Sequence, residues 1–123
     1  MAWTYKQVSG SLVDSAGALV ATGYSGFGSG KNNPAMQSVH GVGPIPQGQY
    51  LIEPPRDSAT HGPFVLPLKP YDSNTMFGRG GFLIHGDSLE HPGSASEGCI
   101  ILPRSIREQI ALSGDNQLFV VQD

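Results

Sequence analysis

Residues 80–102 have the sequence GGFLIHGDSLEHPGSASEGCIIL, which holds the only cysteine of the chain, Cys99. Apolar runs at 82–84 and 100–102 predict two short buried strands, and the Gly-, Ser- and Pro-rich segment between them predicts an exposed loop. His85 follows the first run and Cys99 precedes the second, 14 positions further along the chain. Two neighbouring strands would bring this imidazole to the thiol, and nucleophilic cysteine catalysis requires that pairing.

The length and composition predict a single β-rich domain over residues 1–123. The chain contains 17 glycines and 10 prolines, and they are interleaved with short apolar runs. This pattern predicts a mainly β fold, either a β-sandwich or a curled sheet with many turns. One short helix is expected after the cysteine, over residues 104–112, where it would pack behind the cysteine strand. A capping box of Ser105 and Glu108 would begin this helix, and Gly114 would end it.

Further short strands are predicted from β-branched and aromatic runs. These runs lie at 3–8, 12–14, 18–21, 50–53, 64–66 and 118–121, and the first three predict a meander. Pro67 and Pro70 are expected to end the strand at 64–66, and residues 56–62 are predicted to form a polar turn. Residues 23–50 include a long irregular stretch rich in glycine. We expect it to border the functional site, because long loops in compact domains are more often functional than idle.

The charge pattern narrows the choice of partners. A net charge of −3 without a cluster of Lys or Arg disfavours nucleic acid and anionic membrane surfaces. No stretch reaches the length of a transmembrane helix. The N-terminal sequence MAWTYKQVSG lacks the basic start and the apolar core of a signal peptide. We therefore expect a protein made in the cytoplasm without a signal peptide, with a dedicated export route if it acts elsewhere.

Other roles for the same residues stay open at this point. A lone cysteine in an apolar strand is most often an inert core side chain. The alternative function is therefore a non-enzymatic β-rich structural or binding module of a phage or a secretion apparatus. A metal site is the second alternative, with the conceivable ligands His85, Asp87, His91 and Cys99, but their spacing matches no zinc signature. His40 and His61 lie in Gly-rich loops and are predicted to be solvated. An activated thiol should titrate well below free cysteine, roughly 8.5.

Two sequence motifs resemble the active-site signature of L,D-transpeptidases of the YkuD type. In that family a His-Gly step is followed, after a loop, by Ser/Thr-x-Gly-Cys. This chain has Ile84-His85-Gly86 and then Ser96-Glu97-Gly98-Cys99-Ile100. Upstream, residues 43–50 (GPIPQGQY) resemble the family's Thr-Pro-x-Gly-x-Tyr/Phe motif at the start of a strand. Together with the sequence around Tyr24, these features are most similar to a small branch of L,D-transpeptidase-like effectors, which type VI secretion delivers into rival bacteria.

The resemblance implies a cysteine L,D-transpeptidase or L,D-carboxypeptidase that acts on the peptidoglycan stem peptide. His85 would deprotonate Cys99 or hold it as a thiolate–imidazolium pair, and the Gly86 carbonyl or the Asp87 side chain would orient the imidazole. The thiolate would attack the carbonyl at the L-centre of the third, diamino-acid residue. A D-amino acid would leave and a thioester would remain. Water, a free D-amino acid or another stem's amine would then accept the acyl group, and no metal or cofactor is implied.

The resemblance also implies oxyanion donors and partners. The N–H groups of Gly98 and Cys99 would hold the oxyanion, with about 3 kcal/mol from each donor, and Ser96 would add a hydroxyl. A secretion-apparatus carrier would deliver such an effector to the periplasm of a target bacterium. A periplasmic immunity protein would protect the producing cell by covering the cleft.

The remaining candidate site residues concern substrate binding. Glu97 stands where the wider family often has histidine, and it is a candidate for selecting the acceptor. The family commonly has Arg or Asn soon after Cys-Ile, whereas the first basic residue here is Arg104. Arg104 and Arg79 are therefore the candidates for binding a substrate carboxylate, and Tyr24 is a further substrate-binding candidate.

Overall fold

A computed structural model of the chain describes residues 2–123 and contains ten strands and one α-helix within them. The strands and the helix are β1 (Trp3–Lys6), β2 (Ser11–Val13), β3 (Leu19–Thr22), β4 (Tyr24–Ser25), β5 (Gly48–Ile52), β6 (Arg56–Ser58), β7 (Gly62–Pro70), β8 (Leu83–His85), β9 (Ile100–Ile101), α1 (Arg104–Ser113) and β10 (Gln117–Val121). The predicted mainly β fold with one short helix after the cysteine is therefore confirmed.

The strands form one open mixed sheet in the order β3-β2-β1-β10-β5-β7-β8-β9-β4, with β6 attached to β7. The first three strands form the predicted meander. Two neighbouring pairs are parallel, β1 with β10 and β8 with β9, and the other pairs are antiparallel. A parallel pair needs a crossover connection, so the loop from residue 86 to 99 must return across the end of β8. This return brings the residue before β9 beside β8.

One hydrophobic core supports the sheet around β8 and β9. Ile84 and Ile100 are fully buried and pair in register across the two strands. They belong to the same core cluster as Tyr5, Tyr50 and Leu118 from β1, β5 and β10. Full burial of such an aliphatic side chain contributes roughly 1.5–3 kcal/mol. The strand that ends at His85 and the strand that follows Cys99 are thus fixed by the core.

The helix begins differently from the prediction and ends as predicted. Its N-cap is Pro103, whose carbonyl accepts the amides of Ile106 and Arg107. The predicted Ser105–Glu108 capping box is therefore wrong, because Ser105 already lies inside the first turn. Gly114 ends the helix as predicted, with a left-handed φ of 78° that suits glycine. The main packing partners of α1 are β7 and β8, not the cysteine strand as predicted.

The hairpin of β6 and β7 corrects two further predictions. Residues 56–58 form a strand and not a turn, and β7 continues through Pro67 to Pro70. Proline cannot donate to a ladder, but β7 changes partner at this point: Pro67 faces β8, and Leu68 faces β5. The Pro67 carbonyl still accepts the Glu53 amide at 2.9 Å. The lack of an N–H donor at Pro67 thus costs little stability. The long strand β7 also places the β6–β7 turn beside the cleft.

Candidate functional site

Cys99 and His85 line one cleft of about 520 Å³. Its walls come from four separate segments, and the lining residues are 40–41, 60–61, 78–82, 85, 94–95, 97 and 99. Parallel pairing sets Ile84 against Ile100, so Cys99 lies beside Leu83 and one two-residue step from His85. That step is about 6.6 Å along a strand, a distance that the two side chains can span. Of residues 23–50, which were expected to border the site, His40 and Gly41 line the cleft.

The Cys99 thiol is partly buried and lies immediately before β9. Its Sγ accepts the backbone N–H of Leu83 at 3.4 Å. Burial raises the pKa of Cys99 above its ordinary value, and the nearby Glu97 charge acts in the same direction. The Leu83 N–H and the Arg79 charge oppose this shift without reversing it. The resting group is therefore a thiol, contrary to the expectation of a lowered pKa.

His85 is oriented by the backbone. Its Nδ1 lies 2.8 Å from the Gly86 carbonyl oxygen, so Nδ1 carries the proton and donates it. The Nε2 atom is buried and has no hydrogen-bond partner within the described residues. Burial lowers the pKa of His85, and the Gly86 hydrogen bond raises it by less. The resting imidazole is neutral, with Nε2 free to accept a proton.

Asp87 does not orient this imidazole. Its Oδ1 accepts the Tyr24 hydroxyl at 2.6 Å and the Ser88 amide at 2.8 Å, and both oxygens accept the Gly93 amide at 3.1 Å. Desolvation opposes ionisation, but these hydrogen bonds hold the pKa of Asp87 below its ordinary value. Burial and the bond to Asp87 raise the pKa of Tyr24 to about 12. Both residues lie outside the cleft lining, where they organise the loop at 86–95.

Ser96 holds the backbone around the cysteine. Its fully buried hydroxyl donates to the Cys99 carbonyl at 2.6 Å and accepts the amides of Gly26 at 2.9 Å and Gly98 at 3.0 Å. The hydroxyl is thereby fully used and is not offered to a substrate. The Gly98 N–H is occupied in the same network, whereas the Cys99 N–H has no acceptor among residues 2–123. Of the two expected oxyanion donors, only Cys99 N–H is free.

Arg79 is a buried cation whose terminal nitrogens, Nη1 and Nη2, bind four backbone carbonyls. Its Nη1 donates to Gln37 at 2.7 Å and Pro44 at 2.8 Å, and its Nη2 donates to Gly43 at 3.0 Å and Glu97 at 3.1 Å. These bonds join the Gly-rich stretch to the segment before the cysteine. The guanidinium carbon Cζ also lies 5.2 Å from the centroid of the Phe82 ring. The positive charge of Arg79 therefore acts on the cleft, but its two terminal nitrogens are not available to bind a carboxylate in a bidentate manner.

Glu97 and Arg104 differ in their access to the cleft. Glu97 is exposed and lines it, beside the thiol. Arg104 lies in the first turn of α1, outside the cleft lining, where it contacts Glu108 at 3.5 Å and the ring of Phe64 at 5.1 Å. The expected role of Arg104 in substrate binding thus finds no geometric support.

Two histidines that were predicted to be solvated also line the cleft. His61, in the turn between β6 and β7, has its ring centroid 4.7 Å from that of His85. His40 Nε2 lies 2.8 Å from the Phe77 carbonyl oxygen. Both are exposed, as predicted, but their position at the site was missed because it depends on how distant loops pack. The conceivable metal ligands do not converge, since no three His, Cys, Asp or Glu side chains in residues 2–123 form such a group.

A half-buried thiol and a neutral imidazole that open into one cleft define a candidate cysteine acyl-transfer site on a mainly β fold. The sequence matches the family model described as the Tlde1 domain over residues 20–121. The chain therefore belongs to the Tlde1 domain family, the L,D-transpeptidase-like effectors of type VI secretion that act on peptidoglycan. No curated protein matches the chain. Among residues 2–123, no helix combines the length and apolar character of a bilayer span.

Proposed function

We propose that this domain cleaves the peptidoglycan stem peptide at the L,D bond through a thioester on Cys99. The observation that carries the proposal is the state of His85: its Nε2 is buried and has no partner among the described residues, and His85 lines the same cleft as Cys99. An unsatisfied buried nitrogen is costly, so its presence at a cleft favours a functional role. The Gly86 carbonyl fixes the tautomer that leaves this nitrogen basic.

The resting pair is neutral, so proton transfer accompanies attack. His85 Nε2 takes the Cys99 proton as Sγ adds to the carbonyl of the third, diamino-acid residue. The Gly86 carbonyl stabilises the imidazolium that forms, since it accepts from Nδ1. We propose this general-base route over a preformed thiolate–imidazolium pair. Burial lowers the pKa of His85 and raises that of Cys99, so it opposes both charges in the free enzyme.

The tetrahedral intermediate needs a donor for its oxyanion. We assign the Cys99 N–H, which has no acceptor among the described residues. One oxyanion donor typically contributes about 3 kcal/mol. The Ser96 hydroxyl supports this amide indirectly, because it fixes the carbonyl of Cys99 and the amide of Gly98.

Collapse of the intermediate breaks the peptide bond, and the imidazolium donates its proton to the departing amine of the D-residue. The acyl group stays on Sγ as a thioester. Hydrolysis then gives L,D-carboxypeptidase activity, attack by a free D-amino acid gives exchange, and attack by another stem's amine gives a crosslink. In each case His85 deprotonates the incoming nucleophile.

We place this activity in the periplasm of a target bacterium. Membership in a type VI effector family supports delivery into other cells and an immunity protein as a partner. We propose that the immunity protein works in the periplasm of the producing cell and covers the cleft between Glu97 and His61.

The decisive experiment digests purified muropeptides that carry tetrapeptide stems and reads the products by mass spectrometry. The wild type should convert tetrapeptide to tripeptide and D-alanine, and an added D-amino acid of different mass should appear in an exchange product. Cys99→Ala should do neither, while Ser73→Ala, at an exposed position outside the cleft, should match the wild type. Thermal unfolding checks that the cysteine variant folds. Intact stems with the folded wild type would instead favour the non-enzymatic structural module.

A further inference from the structure

We propose that His61 binds the carboxylate of the departing D-residue and so selects stem peptides with a free C-terminus. This inference rests on the proposed function and adds the residue that recognises the leaving group. His61 comes from the β6–β7 turn, outside the motifs that carry Cys99 and His85.

The position of His61 is set by its contact with His85. The two ring centroids are 4.7 Å apart and the planes are tilted by 49°. The Nδ1 of His61 lies 2.9 Å from Thr60 Oγ1 and 3.4 Å from Ser58 Oγ. These hydroxyls engage one ring nitrogen and leave Nε2 available to a ligand. His61 is exposed and lines the cleft, so a ligand can reach it.

The chemistry of the leaving group fixes where a binder of its carboxylate has to lie. In a D-amino acid the carboxylate is separated from the scissile nitrogen by a single carbon. His85 must contact that nitrogen to protonate it. The group that binds the carboxylate must therefore lie beside His85, and His61 is the nitrogen-bearing side chain whose ring contacts it.

The cations near the cleft do not offer this contact. Arg79 Nη1 and Nη2 already donate to four backbone carbonyls. Arg107 is buried and does not line the cleft, and its Nε and Nη1 donate to the carbonyls of residues 63, 64 and 102. The exposed carboxylate of Glu97 repels an anion from its side of the cleft. His40 already uses Nε2 on the Phe77 carbonyl. An anionic leaving group is thus directed towards His61.

The test compares two substrates, a stem tetrapeptide that ends in D-alanine and the same peptide as its C-terminal amide. His61→Phe keeps a ring against His85 but removes the nitrogens. We expect kcat/KM for the free acid to fall about 10- to 100-fold, mainly through KM, because a hydrogen bond to a charged group is lost. For the amide, His61→Phe and wild type should be nearly equal. His91→Phe, an exposed histidine outside the cleft, is the matched control.

Two results would overturn the inference while leaving the proposed function intact. Equal losses on both substrates would mean that His61 acts only through His85, and equal cleavage of both by wild type would mean that the carboxylate is not recognised. Binding to Cys99→Ala, measured by calorimetry, separates recognition from chemistry. The Cys99→Ala protein should bind the free-acid peptide more tightly than the amide peptide. Adding His61→Phe to it should abolish this difference in affinity, and this readout does not depend on turnover.

Discussion

The hydroxyl of Ser96 donates to the carbonyl of Cys99 across 2.6 Å, while the buried amides of Gly26 and Gly98 donate to the Ser96 Oγ atom. A side chain three residues before the nucleophile therefore sets the backbone on both sides of it. The serine in the Ser-x-Gly-Cys motif has a structural explanation here: it closes a tight turn before β9. The nucleophile strand is held at its other edge by β4, where Ser25 donates to the Gly98 carbonyl at 2.7 Å.

Replacing Ser96 with alanine should destabilise the domain by about 1–3 kcal/mol, because the amides of Gly26 and Gly98 lose their acceptor in a buried site. Denaturant unfolding measures this change. Ser73→Ala, at an exposed serine, is the control and should change the free energy of unfolding by less than about 0.5 kcal/mol. A Ser96→Ala protein as stable as this control would contradict the assigned network.

The pH dependence of cleavage should reflect the lowered pKa of His85. Burial is the main cause of the shift, and the Gly86 bond opposes it. The neutral imidazole is the active base, so a lowered pKa keeps it active at more acidic pH. The acid limb of kcat/KM should thus lie below pH 6.5, the usual histidine value. The profile of kcat/KM for stem tetrapeptide hydrolysis measures this limb, and a limb above pH 6.5 would count against His85 as a buried neutral base.

The titration of Cys99 should respond to Glu97. Burial raises the pKa of the thiol, and the Glu97 charge raises it further. Alkylation of the resting enzyme should therefore accelerate only above about pH 8.5, the free-cysteine value. Removing the charge in Glu97→Gln favours the thiolate, so the midpoint should move to lower pH. The rate of iodoacetamide labelling against pH measures both midpoints. Glu90→Gln, at an exposed position outside the cleft, should leave the midpoint unchanged.

The parts of the site that were predictable from sequence are local. An apolar run that ends in His85, and another that starts after Cys99, suffice to predict two strands and their pairing. The position of His61 depends on the β6–β7 hairpin, in which Arg56 pairs with Val65 and Ser58 pairs with Gly62. The polar sequence of residues 56–62 predicts a turn and no strand, so the hairpin and its histidine were missed together.

The role of Arg79 was not predictable for another reason. Its acceptors are backbone carbonyls from two segments far apart in sequence, and every residue carries such a carbonyl. No sequence pattern distinguishes an arginine that binds backbone carbonyls from one that binds a substrate carboxylate.

The predicted capping box was wrong for a local reason. Ser105 and Glu108 have the right spacing, but Pro103 with its fixed φ begins the helix two residues earlier.

Gly98 should tolerate no side chain, and its replacement tests whether the packing before the cysteine matters for activity. Its φ of +141° is rarely adopted by other residues. An added Cβ would lie 2.6 Å from Arg79 Nη2 and 2.7 Å from Phe82 Cε1. Gly98→Ala should therefore cost about 1–3 kcal/mol in stability.

Gly80→Ala is the matched control for stability, because no atom lies within 4 Å of its added Cβ. Since Cys99 follows Gly98 directly, the strain should also shift the thiol from the imidazole. Stem cleavage by Gly98→Ala should fall at least 10-fold under conditions where the variant is fully folded. Full activity in a destabilised Gly98→Ala protein would show that the contact of Gly98 with Arg79 and Phe82 stabilises the fold without positioning the nucleophile.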